Sequence, residues 1–436
     1  MNSRFKFVVV TSSTCLVVLL LLGAVMAKSS PAGEPYRHLQ VFSEVISRIK
    51  ADYVEEPDMK NVTLGAVNGL LESLDPYASY LNPEQYKQYQ KKDQNKGSVG
   101  LLLSRRFGYV GVIDSIQGSP ADKAGLGTGD MLETIGGVST RDMPLAYAQL
   151  LLQGEPGTTV ELTVLRVKKP EPQPIKLTRT VLKFQAVTAK MVENGIGIVK
   201  AESLEAGKTK EIADAVNGLK KQGLKKLVLD LRHNAFGTAE EGIKLADLFM
   251  DSGVITYAEG QTVAKQVSEA RAEDTIYKDK LVVITNRGTG EGAEIAAAAL
   301  QDAKRAEVVG ERTYGDAAIR KAVSTEDGGA LIISVAKYYS PSGKALQDVA
   351  VTPNQPVVEQ EQPTDVEDDE EGQPAPAPAP ATTPEPKKTP GEDLLLRRAI
   401  DVLNGTVSQV ANTKGAPALA PPGQPMAPLN IPQKQQ

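Results

Sequence analysis

Four short apolar runs, at residues 196–199, 227–231, 281–285 and 308–309, alternate with stretches of helical spacing at 210–220, 240–250 and 291–304. Continuous apolar runs of strand length belong to strands buried on both faces. Each must be joined to the next by a crossover long enough to hold a helix. This alternation fixes residues 177–356 as an α/β core with a partly parallel, mixed sheet. A further run at 331–336, leading into a turn at 338–343, reads as a strand near the end of that core.

The rest of the chain has a different texture. Val41, Phe42, Val45, Ile46 and Ile49 lie at helical spacing within 39–53, and a second helix fits 62–74, stopped by Asp75-Pro76. A short polar helix fits 84–90, so 36–95 reads as an N-terminal helical region. Residues 96–168 are β-rich, with runs at 99–103, 109–113, 131–135 and 159–165, a Gly136-Gly137 turn and an amphipathic helix at 145–152. Residues 168–173, charged and proline-rich, read as a moderately stiff linker. The overall class is α+β and multidomain.

At 436 residues the chain exceeds one ordinary domain. Its net charge of -5 offers nothing to nucleic acid, and only His38 and His233 exist to serve a histidine-based metal site or triad. No metal and no cofactor is expected.

Arg4 and Lys6 precede an apolar run at 7–27 that ends in Val25-Met26-Ala27. That pattern suits a cleaved signal at 1–27, and the run is also long enough to remain as a membrane anchor. Either way an exported, cell-envelope (bacterial periplasm-type) protein is expected. The single cysteine, Cys15, lies in this run and reads as apolar filler, leaving the remainder without disulfides. Residues 357–391 are acidic and then Pro-Ala-rich, and 406–436 are again polar and proline-rich; both read as disordered. Between them, 392–405 has Leu394, Leu395, Ala399, Val402 and Leu403 at helical spacing, closed by Gly405, and is expected to dock on a folded domain.

Gly118-Ser119-Pro120-Ala121-Asp122-Lys123-Ala124-Gly125-Leu126, with Gly127-Thr128-Gly129-Asp130 after it, resembles the PDZ segment in which a short helix turns tightly into a strand. The resemblance makes 96–168 a β-barrel-like PDZ domain. Ser98, Val99, Gly100 and Leu101 become the loop whose backbone N–H groups receive a peptide's C-terminal carboxylate. A phosphate-binding loop is disfavoured, because no lysine follows at the required spacing.

A helical region, a PDZ domain and an α/β core, in this order, resemble the carboxyl-terminal processing peptidases, also called tail-specific serine proteases. The resemblance covers roughly residues 42–353. Ser73-Leu74-Asp75-Pro76-Tyr77-Ala78-Ser79-Tyr80-Leu81, Leu229-Asp230-Leu231-Arg232, Ala299-Leu300-Gln301-Asp302, Val309-Gly310-Glu311 and Tyr338-Tyr339-Ser340-Pro341-Ser342-Gly343 carry it. The family is serine-type: a serine attacks, a buried neutral lysine takes its proton, and a glutamine orients the lysine.

The same resemblance places Glu291 at the nucleophile position, anchored on Glu294 in Gly288-Thr289-Gly290-Glu291-Gly292-Ala293-Glu294. In Tyr314-Gly315-Asp316-Ala317-Ala318-Ile319-Arg320 the lysine becomes Asp316 and the glutamine Arg320. The oxyanion loop reads Asn234-Ala235-Phe236-Gly237, with Phe236 for a glycine, and a bulky ring is expected to enter the cleft. Thr289 reads as a helix N-cap. His233 faces the region with no serine placed beside it.

A carboxylate pair, Glu291 with Asp316, resembles the arrangement glycosidases use, but Arg320 is expected to hold both ionised. The three would then fill the old pocket as a paired charge cluster. The expected function is a PDZ-containing pseudoprotease that binds protein C-termini or unfolded polypeptide, with a homo-oligomer or an active paralogue as further partners. A divergent but active serine endopeptidase and a structural envelope protein are the alternatives.

Overall fold

The computed structural model describes residues 33–91, 97–106, 108–166, 169–357 and 393–406. The signal or anchor run at 7–27, the acidic and Pro-Ala stretch at 358–391 and the tail from 407 onward lie outside the described residues.

The chain divides into two compact units, with the boundary after Val67. The first contains the helix Gly33–Asp52 and the start of the helix Met59–Glu72. Asp58 caps the second helix, its carboxylate accepting from the backbone N–H of Lys60 and Asn61 at 3.0 and 3.3 Å. Leu39, Val41, Phe42 and Val45 of the first helix remain exposed. No helix among the described residues is long and apolar enough to cross a membrane.

In the second unit the PDZ domain is a five-strand antiparallel ladder in the order Leu101–Arg106, Tyr109–Ser115, Met131–Ile135, Thr159–Arg166, Lys169–Thr178. The helix Leu145–Leu152 has the expected bounds, and buries Leu145, Ala148 and Leu152 against the sheet. Ser119 caps the short helix Pro120–Lys123, accepting from Asp122 N–H, with proline in the first turn where no N–H is needed.

Within the stretch 168–173, the described residues 169–173 are a correction. They are no linker: Lys169–Thr178 is a strand paired along Thr159–Arg166. Prolines 170, 172 and 174 disguise it. They lack ladder donors, but this strand is the sheet's edge, where a missing N–H faces no partner.

The core sheet runs Thr188–Val192, Ile196–Lys200, Lys226–Asp230, Lys280–Thr285, Glu307–Gly310, Gln355–Pro356, and every pairing but the first is parallel. Helices Lys208–Lys221, Ala239–Asp247 and Glu291–Asp302 make the crossovers. A second, antiparallel sheet joins Ser79–Leu81, Ala330–Tyr339, Val254–Glu259 and Gln266–Glu269, with Ala318–Ser324 paired to Ala330–Tyr339. Only 331–336 of this sheet was legible in the sequence. Its other strands are short or solvent-facing or, in Val254–Glu259, half-buried without a regular apolar alternation.

The C-terminal helix Leu394–Asn404 docks as expected, capped by Gly405 at φ +71°. Leu395, Ala399 and Leu403, on successive turns, pack on Val228, Val282, Ile284 and Val309 of the parallel sheet.

The described structure is thus a mixed α/β, multidomain fold: N-terminal helices, a PDZ domain and a sheet-rich core.

Candidate functional site

Three loops at the carboxyl ends of parallel strands converge, the usual place for a site in such a sheet. Their backbones are laced together. His233 N–H donates to Asn286 Oδ1 at 3.0 Å, Gly290 N–H to Asn234 O at 2.9 Å and Tyr314 N–H to Thr289 O at 2.8 Å. Thr289 is not the helix cap; Gly290 takes that position. The fully buried Thr289 hydroxyl instead donates to Leu231 O at 2.8 Å and accepts from Asn286 N–H at 3.1 Å, tying two loops together.

Glu291 opens the helix Glu291–Asp302 with φ +45°, left-handed backbone that a non-glycine residue holds at a cost. Close packing fixes its position. A Cβ on Gly292 would lie 2.3 Å from Thr238 O, and one on Gly242 would lie 2.1 Å from Gly292 O, so the two helices meet backbone to backbone. A helix N-terminus favours a carboxylate. Burial opposes it and, with the nearby Asp316 charge, pushes the Glu291 carboxyl up to about 8 despite Arg320. The expectation that Arg320 keeps both carboxylates ionised therefore fails at Glu291. Arg320 is committed elsewhere, in an ion pair with Asp316.

Glu294, one turn on and fully buried, acts as a clamp. Its carboxylate accepts from Thr313 Oγ1, Gly315 N–H and Asp316 N–H at 2.5, 2.6 and 2.9 Å. These bonds hold residues 313–316 against the helix and set Asp316 beside Glu291. Burial pushes Asp316 above its ordinary range, against the pull of Arg320. The Arg320 guanidinium also lies 4.2 Å from the centre of the Tyr77 ring, a cation–π contact. Tyr77 donates to Gly315 O at 2.9 Å and packs edge-on against Tyr314, with centroids 5.9 Å apart. Asp75 Oδ1 accepts from Tyr77 and Ala78 N–H, which shapes the turn that delivers Tyr77.

Glu291, Asp316 and Arg320 share one cavity of about 360 Å³. Tyr77, Tyr89, Ala318 and Ile332 form part of its wall, and the rest is the PDZ helix, through Leu145, Ala146, Gln149 and Leu150, with Gln153 just past its end. Further contacts join the PDZ domain to the core, two of them beside the converging loops. Tyr314 Oη donates to Leu103 O at 2.5 Å, and His233 Nδ1 lies 2.6 Å from Asp114 Oδ2. A Cβ on Gly288 would reach within 1.8 Å of that Asp114 oxygen, so the approach requires glycine. Among the described residues no cluster of three or more His, Cys, Asp or Glu has the arrangement to hold a metal ion.

The remaining expected residues lie outside this cavity. Phe236 does not enter it; its ring packs on Phe184, with centroids 5.4 Å apart. Its φ is not positive, so no glycine was needed there. Gly237 is the constrained member of that loop, since a Cβ would lie 2.4 Å from Leu204 O. Ser98, Val99, Gly100 and Leu101 form a loop across the PDZ core. The Val99 side chain is fully buried, Gly100 sits at φ +84°, and its N–H reaches Ser98 Oγ at 3.3 Å. Sequence reasoning missed Tyr77, Tyr314, the Glu294 clamp and the PDZ helix face. Tyr77, Glu294 and Tyr314 stood inside recognised motifs, but no local signal gave them a contact.

The fold is therefore that of a PDZ-bearing processing peptidase, and comparisons with known proteins agree. The models of peptidase family S41 and of the PDZ domain match residues 195–357 and 111–166. The chain is 31% identical to a carboxy-terminal-processing protease of Bartonella bacilliformis over 75% of its own length and 76% of the relative's. It is 35% identical to a carboxyl-terminal-processing protease of Picosynechococcus, over 68% and 73%. The solved photosystem II D1 C-terminal processing protease superposes with a TM-score of 0.60 at 26% identity, covering 75% of this chain and 95% of that one. The chain belongs to the carboxy-terminal processing protease family, peptidase family S41.

Proposed function

We propose that this chain is a non-cleaving member of its family that captures protein C-termini or unfolded segments. The observation that carries this reading is the composition of the cavity: none of its lining residues is Ser, Thr, Cys or Lys. An acyl-transfer site needs a nucleophile with a base beside it. Here a carboxyl stands at the helix N-terminus with an ion pair beside it, at the positions that the resemblance gives to the family's nucleophile, base and orienting partner.

Peptide capture is supported by the PDZ strand Leu101–Arg106, which ends its sheet and offers an edge to an added strand, with Leu103 O already bonded there, to Tyr314 Oη. Regulation of an active relative, self-association and export through the charged and apolar N-terminus belong to the same reading; N-terminal sequencing of the secreted or membrane-bound protein tests the last.

Peptides with a free C-terminus should bind the purified protein and stay intact. The triple variant Glu291→Ser, Asp316→Lys, Arg320→Gln should gain cleavage, because it restores the family's side chains at three clustered positions. Cleavage by the wild-type protein that disappears in Glu291→Ala would overturn the proposal and favour a divergent, active peptidase.

A further inference from the structure

Resting on the reading of this chain as a polypeptide-capturing protein, we infer that the cavity at Glu291 is a specificity pocket for a basic side chain, lysine in the first instance. The walls suit the methylene stem of such a side chain: Leu145 and Leu150 on the PDZ side, Ala318 and Ile332 on the sheet side. The far end suits its charge. Among the described residues nothing donates a hydrogen bond to the Glu291 carboxyl, whereas Asp316 is satisfied by Arg320. Asp316 and Arg320 cancel, so an ionised Glu291 leaves the pocket one positive charge short. A ligand ammonium completes the balance, and a ligand carboxylate worsens it.

The surroundings define the proton coupling. Glu291 faces Asp316 and Arg320 from the loop and strand beside it, Glu294 from its own helix and Tyr338 from the antiparallel sheet. Tyr77 and Tyr89 complete the titratable wall, and the PDZ helix with Gln153 just past its end adds no charged group, its polar members there being Gln149 and Gln153. The empty pocket holds Glu291 protonated at neutral pH, because its carboxyl is pushed up to about 8. Lysine binding must then release that proton. Affinity for a lysine peptide should rise up to about tenfold per pH unit below about pH 8, and level off above it.

The test uses the purified wild-type protein and free-C-terminus peptides in which one lysine is scanned along an alanine-rich chain. Each is titrated against its norleucine counterpart at about pH 6 and about pH 8.5. The expected result is a register at which lysine binds roughly tenfold or more tighter than norleucine at the higher pH, with the advantage shrinking at the lower. In Glu291→Gln the advantage and its pH dependence should both be lost while norleucine binding persists. Equal binding of lysine and norleucine in every register at the higher pH overturns the pocket assignment and leaves peptide capture standing. Binding of neither peptide overturns peptide capture itself, and this assignment with it.

Discussion

His233 Nδ1, on the loop that follows the central strand Lys226–Asp230, lies 2.6 Å from Asp114 Oδ2 on a strand of the PDZ domain. Burial lowers the imidazole pKa, but the hydrogen bond and charge of Asp114 outweigh it and raise it above the ordinary 6.5, against Lys200 and Arg232. A raised folded-state value means that this contact stabilises fully below the unfolded value and is lost as pH rises through the folded one. In Asp114→Asn burial is left unopposed, so the His233 pKa should drop below 6.5. NMR titration of the His233 ring reads this directly. An unchanged midpoint in the variant would show that the pair does not form in solution.

Glu291 should make stability pH-dependent with the opposite charge sense. Its folded pKa of about 8 stands above the ordinary 4.5, so the folded state holds a proton that the unfolded chain releases. Stability is full below about pH 4.5 and falls as pH climbs to about 8. Glu291→Gln should be nearly neutral near pH 5 and more stable than wild type by roughly 1–3 kcal/mol near pH 8.5, after discounting for partial exposure. Paired denaturant melts at the two pH values check it; parallel curves for both proteins would rule the shift out.

Tyr314 should compete with PDZ ligands. Val112 N–H donates to Asp130 O, across the sheet from Leu103, and Leu103 O is taken by Tyr314 Oη at the open edge where a peptide strand would add. Tyr314→Phe removes one hydrogen bond, worth about 1 kcal/mol. Affinity for a C-terminal peptide should therefore improve about fivefold by calorimetry. Weaker binding in the variant would mean that Tyr314 assists the ligand instead.

Arg232 should control the C-terminal helix. Its guanidinium bridges Asp230 and Asp393, each at 2.7 Å, and Asp393 also caps the helix by accepting from Leu396 N–H. Arg232→Ala leaves the buried Asp230 without its partner and unfastens the helix cap, at a cost of about 3 kcal/mol. Amide exchange across Leu394–Asn404 should rise well beyond that of the parallel strands. Equal protection in both proteins would place the docking energy in the packing of Leu395, Ala399 and Leu403 alone.

The sequence by itself determined most of the architecture and picked out three side chains that the structure gathers in one cavity. Buried apolar runs separated by amphipathic helices admit few arrangements other than a parallel sheet with crossovers, and motif spacing located Glu291, Asp316 and Arg320. Burial at this level is a property of local pattern, which periodicity reports. Partnership is not. Arg320 lies four residues from Asp316 and could have served either carboxylate; the Glu294 clamp and the Tyr77 ring decided in favour of Asp316 and left Glu291 protonated. Phe236 turned from the cavity because Phe184, distant in the chain, offered it a ring. The prolines of 170–174 became a strand because the sheet needed an edge. In each case the deciding energy is a desolvation or contact between segments remote in sequence, and only the tertiary structure brings those segments together.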